Sequence, residues 1–310
     1  MRLAVSLILF LTVLGLMTVV GWRAARAPLE DLETVDASDE KLVTLNPSES
    51  SDPGMGAGSS RHTIGNTQNE QSTESARNSA PVKPETVTVQ GWTPCPTDGS
   101  PCAILPFGAS ITDGYNGNTP GGYRVELYLR ATGDGRNITF LGSKENGPMT
   151  VGNRKLPFPR RHEGHSGWQI SQLASLVPEP ALIDSPHIVL LQIGTNDIFF
   201  DKFAGANQRL ANLVDQLVAN LPNSLVAVAS ILPLTGRGAR YTPQIEAFNA
   251  GIKKMANARH SEGKHVIFVD QYSGFPPSEI QDGTHPDKAG YARMADVWYR
   301  AVAPYIPIIK

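Results

Sequence analysis

Five short apolar runs mark the chain beyond its first third, at residues 103–107, 137–141, 187–193, 225–231 and 265–269. Each is brief and bounded by turn-forming residues, such as Pro186 and Gly194 around the third, which favours strands over buried helix segments. That third run, His187-Ile188-Val189-Leu190-Leu191-Gln192-Ile193, shows no polar alternation and fits a strand covered on both faces. Between the runs the period changes to that of helices. Residues 207–221 place Leu210, Leu213, Val214, Leu217 and Val218 on one stripe that ends at Pro222 and Asn223, and residues 241–259 and 288–302 predict two more helices. Strand–helix alternation over about 220 residues predicts an α/β domain, a three-layer α/β/α sandwich around a five-stranded parallel sheet. In such sheets ligands bind beyond the carboxyl ends of the strands.

The chain before residue 91 follows other rules. An uncharged, mostly apolar run from Leu3 to Trp22 lies between Arg2 and the segment Arg23-Ala24-Ala25-Arg26-Ala27. It is long enough to span a bilayer, and Ala25-Arg26-Ala27 offers a small-x-small cleavage site, so residues 1–27 read as a signal peptide or a retained signal anchor. Positive charge on both sides leaves the orientation open. Either reading sends the rest of the chain outside the cytoplasm, secreted or membrane-anchored. Residues 28–90 contain no Phe, Trp or Tyr and are rich in Ser, Glu, Asp, Asn, Thr, Gly and Pro, the composition of a disordered linker. Residues 91–310 form the expected folded domain.

Composition narrows the function. A net charge of −2 with no basic stripe leaves no electrostatic footprint for nucleic acid. The two cysteines, Cys95 and Cys102, bracket a turn-rich segment, and in an exported protein they read as a disulfide. Two lone thiols lack the partner pair that zinc requires.

The candidate chemistry falls on one edge of the expected sheet. Ser110 follows the first strand in Gly108-Ala109-Ser110, Asn196 follows the third in Gly194-Thr195-Asn196-Asp197, and Asp282-Gly283-Thr284-His285 lies beyond the fifth. Serine is a weak nucleophile without an imidazole to take its proton and a carboxylate to orient that imidazole. Asp282 and His285, three residues apart, can supply both from one loop. Asp270, at the end of the fifth run, is the competing acid. Taken alone, Ser110 would read as a helix cap and Asn196 as a turn cap.

Four blocks, Gly108-Ala109-Ser110-Ile111-Thr112, Gly167 within His165-Ser166-Gly167-Trp168, Gly194-Thr195-Asn196-Asp197 and Asp282-Gly283-Thr284-His285, resemble in order the signatures of the SGNH (GDSL-like) hydrolases. The stretch Arg161-His162-Glu163-Gly164-His165-Ser166-Gly167-Trp168 is further similar to the secreted acetyl xylan esterases of carbohydrate esterase family three. The resemblance implies a flavodoxin-like fold and a serine esterase that needs no cofactor, acting on an acetylated polysaccharide or a small ester. It implies Ser110 as nucleophile, His285 as base and Asp282 as orienting acid. The oxyanion hole would combine the backbone N–H groups of Ser110 and Gly167 with the Asn196 side chain, an amide that donates where aspartate would repel.

The chain departs from the family at Ala109, where an acidic residue is usual, and this puts the rigidity of the nucleophile's loop in question. Ser166 narrowly misses a G-x-S-x-G elbow because Trp168 replaces the last glycine, and no strand is expected before it. His162, Glu163 and His165 lack the spacing of a metal site, so none is expected. Trp168 reads equally as a sugar platform in contact with substrate or as a packing residue. The sequon Asn137-Ile138-Thr139 is weakened by its place at the start of an expected strand.

Overall fold

The structure, a computed structural model, describes residues 92–114 and 119–309; the expected leader at 1–27 and linker at 28–90 lie outside the described residues. The first expected strand is β1 (Cys102–Gly108), followed by a one-turn helix α1 (Ser110–Asp113) and by α2 (Tyr123–Gly133), which leads to β2 (Ile138–Phe140). Next come four short strands, β3 (Lys144–Glu145), β4 (Thr150–Val151), β5 (Leu156–Pro157) and β6 (Arg161–Gly164), and the helix α3 (Ile170–Ala174). The remainder alternates: β7 (Ile188–Gln192), α4 (Thr195–Phe199), α5 (Ala206–Asn220), β8 (Leu225–Ala229), α6 (Thr242–Ser261), β9 (Val266–Val269) and α7 (Lys288–Val302).

All five expected strands are present and pair in parallel in the order β2-β1-β7-β8-β9. The edge of β1 that faces away from β7 is divided. Its first half pairs with β2, Cys102 opposite Ile138, and its second half with β6, Gly108 opposite Gly164. β3 then adds to β6 in antiparallel fashion, making a seven-stranded sheet. A strand therefore does precede Ser166, contrary to the sequence expectation. β6 escaped a hydrophobicity reading because its residues, Arg161-His162-Glu163-Gly164, are polar although three of them are buried.

Alternation within the strands supplies the two faces. Ile104, Ile188, Leu190 and Ala227 point toward α2 and α7, where Tyr123, Tyr291 and Trp298 are buried. Leu105, Phe107, Val189 and Leu191 point the other way, onto α3, α5 and α6, where the stripe Leu210, Leu213, Val214 and Leu217 is buried as expected. The layers are therefore helix, sheet, helix. Among the described residues no helix is long and apolar enough to cross a membrane.

Far from the carboxyl edge, Cys95 is bonded to Cys102 at the start of β1 (S–S 2.03 Å). The bridge fixes an incoming segment in which Trp92 stacks on His265 at 3.5 Å and the Thr93 hydroxyl donates to the Tyr305 carbonyl. Asn137 donates its side-chain amide to the Gly99 carbonyl in the same region, which sets the sequon nitrogen inside a hydrogen bond. Replacing both cysteines with alanine should lower unfolding free energy by about 2–3 kcal/mol, the loop-closure value for a bridge this short, without changing the fold. A denaturant midpoint equal to that of the native protein would contradict this.

Candidate active site

Ser110 is the first residue of α1, two residues past the end of β1, so its side chain emerges at the carboxyl edge in the middle of the sheet. Ala109, where an acid was expected from the resemblance, gives α1 no side-chain cap. The imidazole arrives from the loop before α7. The Asp282 carboxylate folds that loop: its Oδ1 accepts the backbone N–H groups of Thr284 (3.0 Å) and His285 (2.7 Å). A bridge between Ile280 and Pro286 closes the base of the loop, and Asp287 caps α7 immediately after it through the Gly290 N–H.

This folding brings three expected residues together. Asp282 Oδ2 lies 2.7 Å from His285 Nδ1, and His285 Nε2 lies 2.8 Å from Ser110 Oγ. A carboxylate on Nδ1 holds the proton there, leaving the Nε2 lone pair to accept the serine hydroxyl. Partial burial pushes the Asp282 carboxyl up, but hydrogen bonds from His285 and Thr284 outweigh it and hold the group below the usual carboxylate range. The competing acid, Asp270, is engaged elsewhere: it accepts the N–H groups of Tyr272 and Ser273, both at 3.0 Å.

Gly167 lies on the loop between β6 and α3, exposed and at φ 82°, a backbone region that a side chain would strain. The loop is pinned on both sides. The His165 N–H donates to the Gly108 carbonyl at the end of β1 (3.0 Å). Asn196 donates its side-chain amide to the Trp168 carbonyl (2.8 Å), and Asp197 Oδ2 accepts the Ile170 N–H at the start of α3 (2.9 Å). Asp197 is itself buried and paired with Arg209 at 2.9 Å. Its role was not evident from the sequence beyond its place beside Asn196. The Trp168 indole is half-buried, stacked on the His165 ring at 4.0 Å and packed against the core under α3 and α5. Ser166 donates its hydroxyl to Asp113 rather than to a histidine.

Residues 107–293, which contain all four blocks, match the GDSL-like Lipase/Acylhydrolase family. The chain belongs to that family. The expected resemblance to the SGNH (GDSL-like) hydrolases stands with it. A multidomain esterase of Ruminococcus flavefaciens is 33% identical over 224 residues, which are 66% of this chain but only 28% of that protein. A family 3 carbohydrate esterase of Clostridium thermocellum is 33% identical, with a TM-score of 0.57 over 66% of this chain and 96% of the other. A family 3 carbohydrate esterase of Talaromyces cellulolyticus, at 24% identity and a TM-score of 0.55 over 65% of this chain and 96% of the other, shares the fold.

Beneath the site, this GDSL-like domain buries an unusual set of polar groups on β6. Glu163, with no exposed surface, accepts the Ser143 N–H (2.7 Å) and hydroxyl (2.8 Å) and lies 2.6 Å from His165 Nε2. Burial pushes its carboxyl up, but these bonds prevail and hold it below the ordinary value. His162, also without exposed surface, accepts the Gly164 N–H on Nδ1, which leaves the proton on Nε2. Glu163 and His165 are thus engaged with each other. Among the described residues no group of three or more His, Cys, Asp or Glu side chains could hold a metal ion.

Burial, reinforced by Arg124, Lys144 and His165, pushes the His162 pKa down from 6.5 to about 2. The unfolded imidazole takes up a proton below 6.5 and the folded one does not, so stability present above that value is lost as the pH falls toward 2. Glu163 acts in the same direction below its ordinary value of 4.5. The melting temperature should therefore fall as pH drops below 6.5, and His162→Asn should show a shallower slope. An unchanged slope in that variant would contradict the assignment.

Proposed function

We propose that the chain is a serine esterase that deacetylates a polysaccharide such as acetylated xylan, working outside the cytoplasm. The observation that carries the esterase chemistry is the unbroken hydrogen-bond line Asp282–His285–Ser110 at the carboxyl edge of the sheet. In this reading Ser110 Oγ attacks the ester carbonyl carbon as its proton passes to His285 Nε2. The tetrahedral oxyanion is met by the N–H groups of Ser110 and Gly167 and by the second N–H of the Asn196 amide, whose first is committed to Trp168. Each such donor is worth about 10²–10³ in rate. The imidazolium returns its proton to the departing sugar oxygen, leaving an acyl-serine. Water activated by the same imidazole then attacks that ester and releases the acid.

The polysaccharide half of the proposal rests on the family 3 carbohydrate esterase at 33% identity and on the stretch from Arg161 to Trp168. Trp168 contributes through packing in this reading, since its ring already stacks on His165 and it supports the segment that carries Gly167. The N-terminal apolar run, as signal peptide or membrane anchor, and the Cys95–Cys102 bridge support an extracytoplasmic site of action.

Release assays across acetylated xylan, other acetylated glycans and simple acyl esters test the substrate. Acetate release from acetylated xylan is expected, with Ser110→Ala lowering kcat by on the order of 10³-fold or more while the fold is kept. Near-native turnover by a folded Ser110→Ala protein would overturn the chemistry. A preference for longer acyl chains on non-sugar alcohols would overturn the substrate.

A further inference from the structure

The two backbone donors assigned to the oxyanion belong to separate segments, Ser110 to α1 and Gly167 to the loop after β6. An oxyanion hole works only if its donors are held at hydrogen-bond distance from one point, so something must fix one segment against the other. Asn196 and Asp197 tie the loop to α4 and so to the β7 side. The tie to the nucleophile's own helix is different. Asp113 is the last residue of α1, one turn from Ser110, and its Oδ2 accepts the hydroxyl of Ser166, the residue before Gly167, at 2.8 Å.

We propose that Asp113 is a positioning residue that sets the Gly167 N–H relative to Ser110 through the Ser166 hydroxyl, an inference that rests on the esterase reading above. Asp113 is suited to this because it is itself immobilised. Its Oδ1 and its main-chain carbonyl both accept the Asn146 amide, at 2.6 and 2.7 Å. Asn146 accepts in turn from Arg124, which has no exposed surface and also donates to the Arg160 carbonyl at 3.1 Å. His162 Nε2, which carries that ring's proton, lies 3.5 Å from Asp113 Oδ1 and faces the same carboxylate. The backbones are equally close. A Cβ on Gly164, at the end of β6, would stand 2.4 Å from the Asp113 nitrogen, so α1 rests directly on the strand that launches the loop. A hydroxyl donating to a carboxylate is a short, charge-assisted bond, suited to holding a surface loop in one register.

The test compares Ser166→Ala and Ser166→Thr with the native protein on a small acetyl ester. Ser166 is exposed, so both variants are expected to fold, and melting temperatures verify it. Ser166→Ala should lower kcat about ten-fold with KM nearly unchanged, because a misplaced donor is felt mainly in the transition state. Labelling of Ser110 by a serine-reactive phosphonate should slow in parallel, and Ser166→Thr, which keeps the hydroxyl, should restore most of both rates. A folded Ser166→Ala protein with native kcat, a change confined to KM, or a loss that threonine does not rescue would overturn the proposal. If the native protein itself turns over no ester, the esterase reading fails first, and that result is read before any variant is made.

Discussion

A single imidazole, hydrogen-bonded at both ring nitrogens, is the point on which this molecule converges. His285 meets Asp282 on one side and Ser110 on the other, across 175 residues of chain. Neither contact would hold without the surrounding fold. The acid builds the loop that carries the imidazole, through two backbone N–H bonds to its other oxygen. The serine is placed by the sheet, because β1 lies between β6 and β7 and therefore opens onto both the Gly167 loop and the Asn196 helix. Parallel order thus converts three distant segments into one edge.

The second constraint is the polar layer under that edge. Glu163, His162, Arg124 and Asp197 are all essentially without exposed surface, and burying such groups is costly unless they are satisfied. Here each has at least one partner: Ser143 and His165 for Glu163, Arg209 and the Ile170 N–H for Asp197, Asn146 and a carbonyl for Arg124, and the Gly164 N–H for His162, while Arg124 Nε and His162 Nε2 have no hydrogen-bond partner among the described residues. Apolar residues would fill the same volume with less desolvation. What polar groups add is direction, since a hydrogen bond fixes a loop in a way that apolar contact does not. The loop being fixed carries Gly167, to which the proposed mechanism assigns an oxyanion donor, and its residues 165, 166, 168 and 170 are each held by at least one hydrogen bond.

What the sequence disclosed follows the same division. Apolar runs and helical stripes announced the five main strands and the helices α5, α6 and α7, because burial of those elements is written in hydrophobic period. Ser110, Asn196, Asp282 and His285 were legible from their places at strand ends and in ordered blocks. β6 was not, since its buried residues, His162, Glu163 and Gly164, carry no hydrophobic pattern and its pairing partners lie far along the chain. Asp113 and Asp197 were hidden for the same reason: nothing local shows that a surface-type side chain will be enclosed and paired with Ser166 or Arg209. Trp168 could not be assigned from its type, and only its stacking on His165 shows which neighbour its ring has.

The central claim is that His285 activates Ser110 and no other serine. Reaction with a serine-directed phosphonate, followed by peptide mapping of the adduct, tests it most directly. The account predicts a single adduct on Ser110 in the native protein and its loss in His285→Ala. An adduct on Ser166 or another serine, or undiminished labelling of Ser110 without His285, would contradict it.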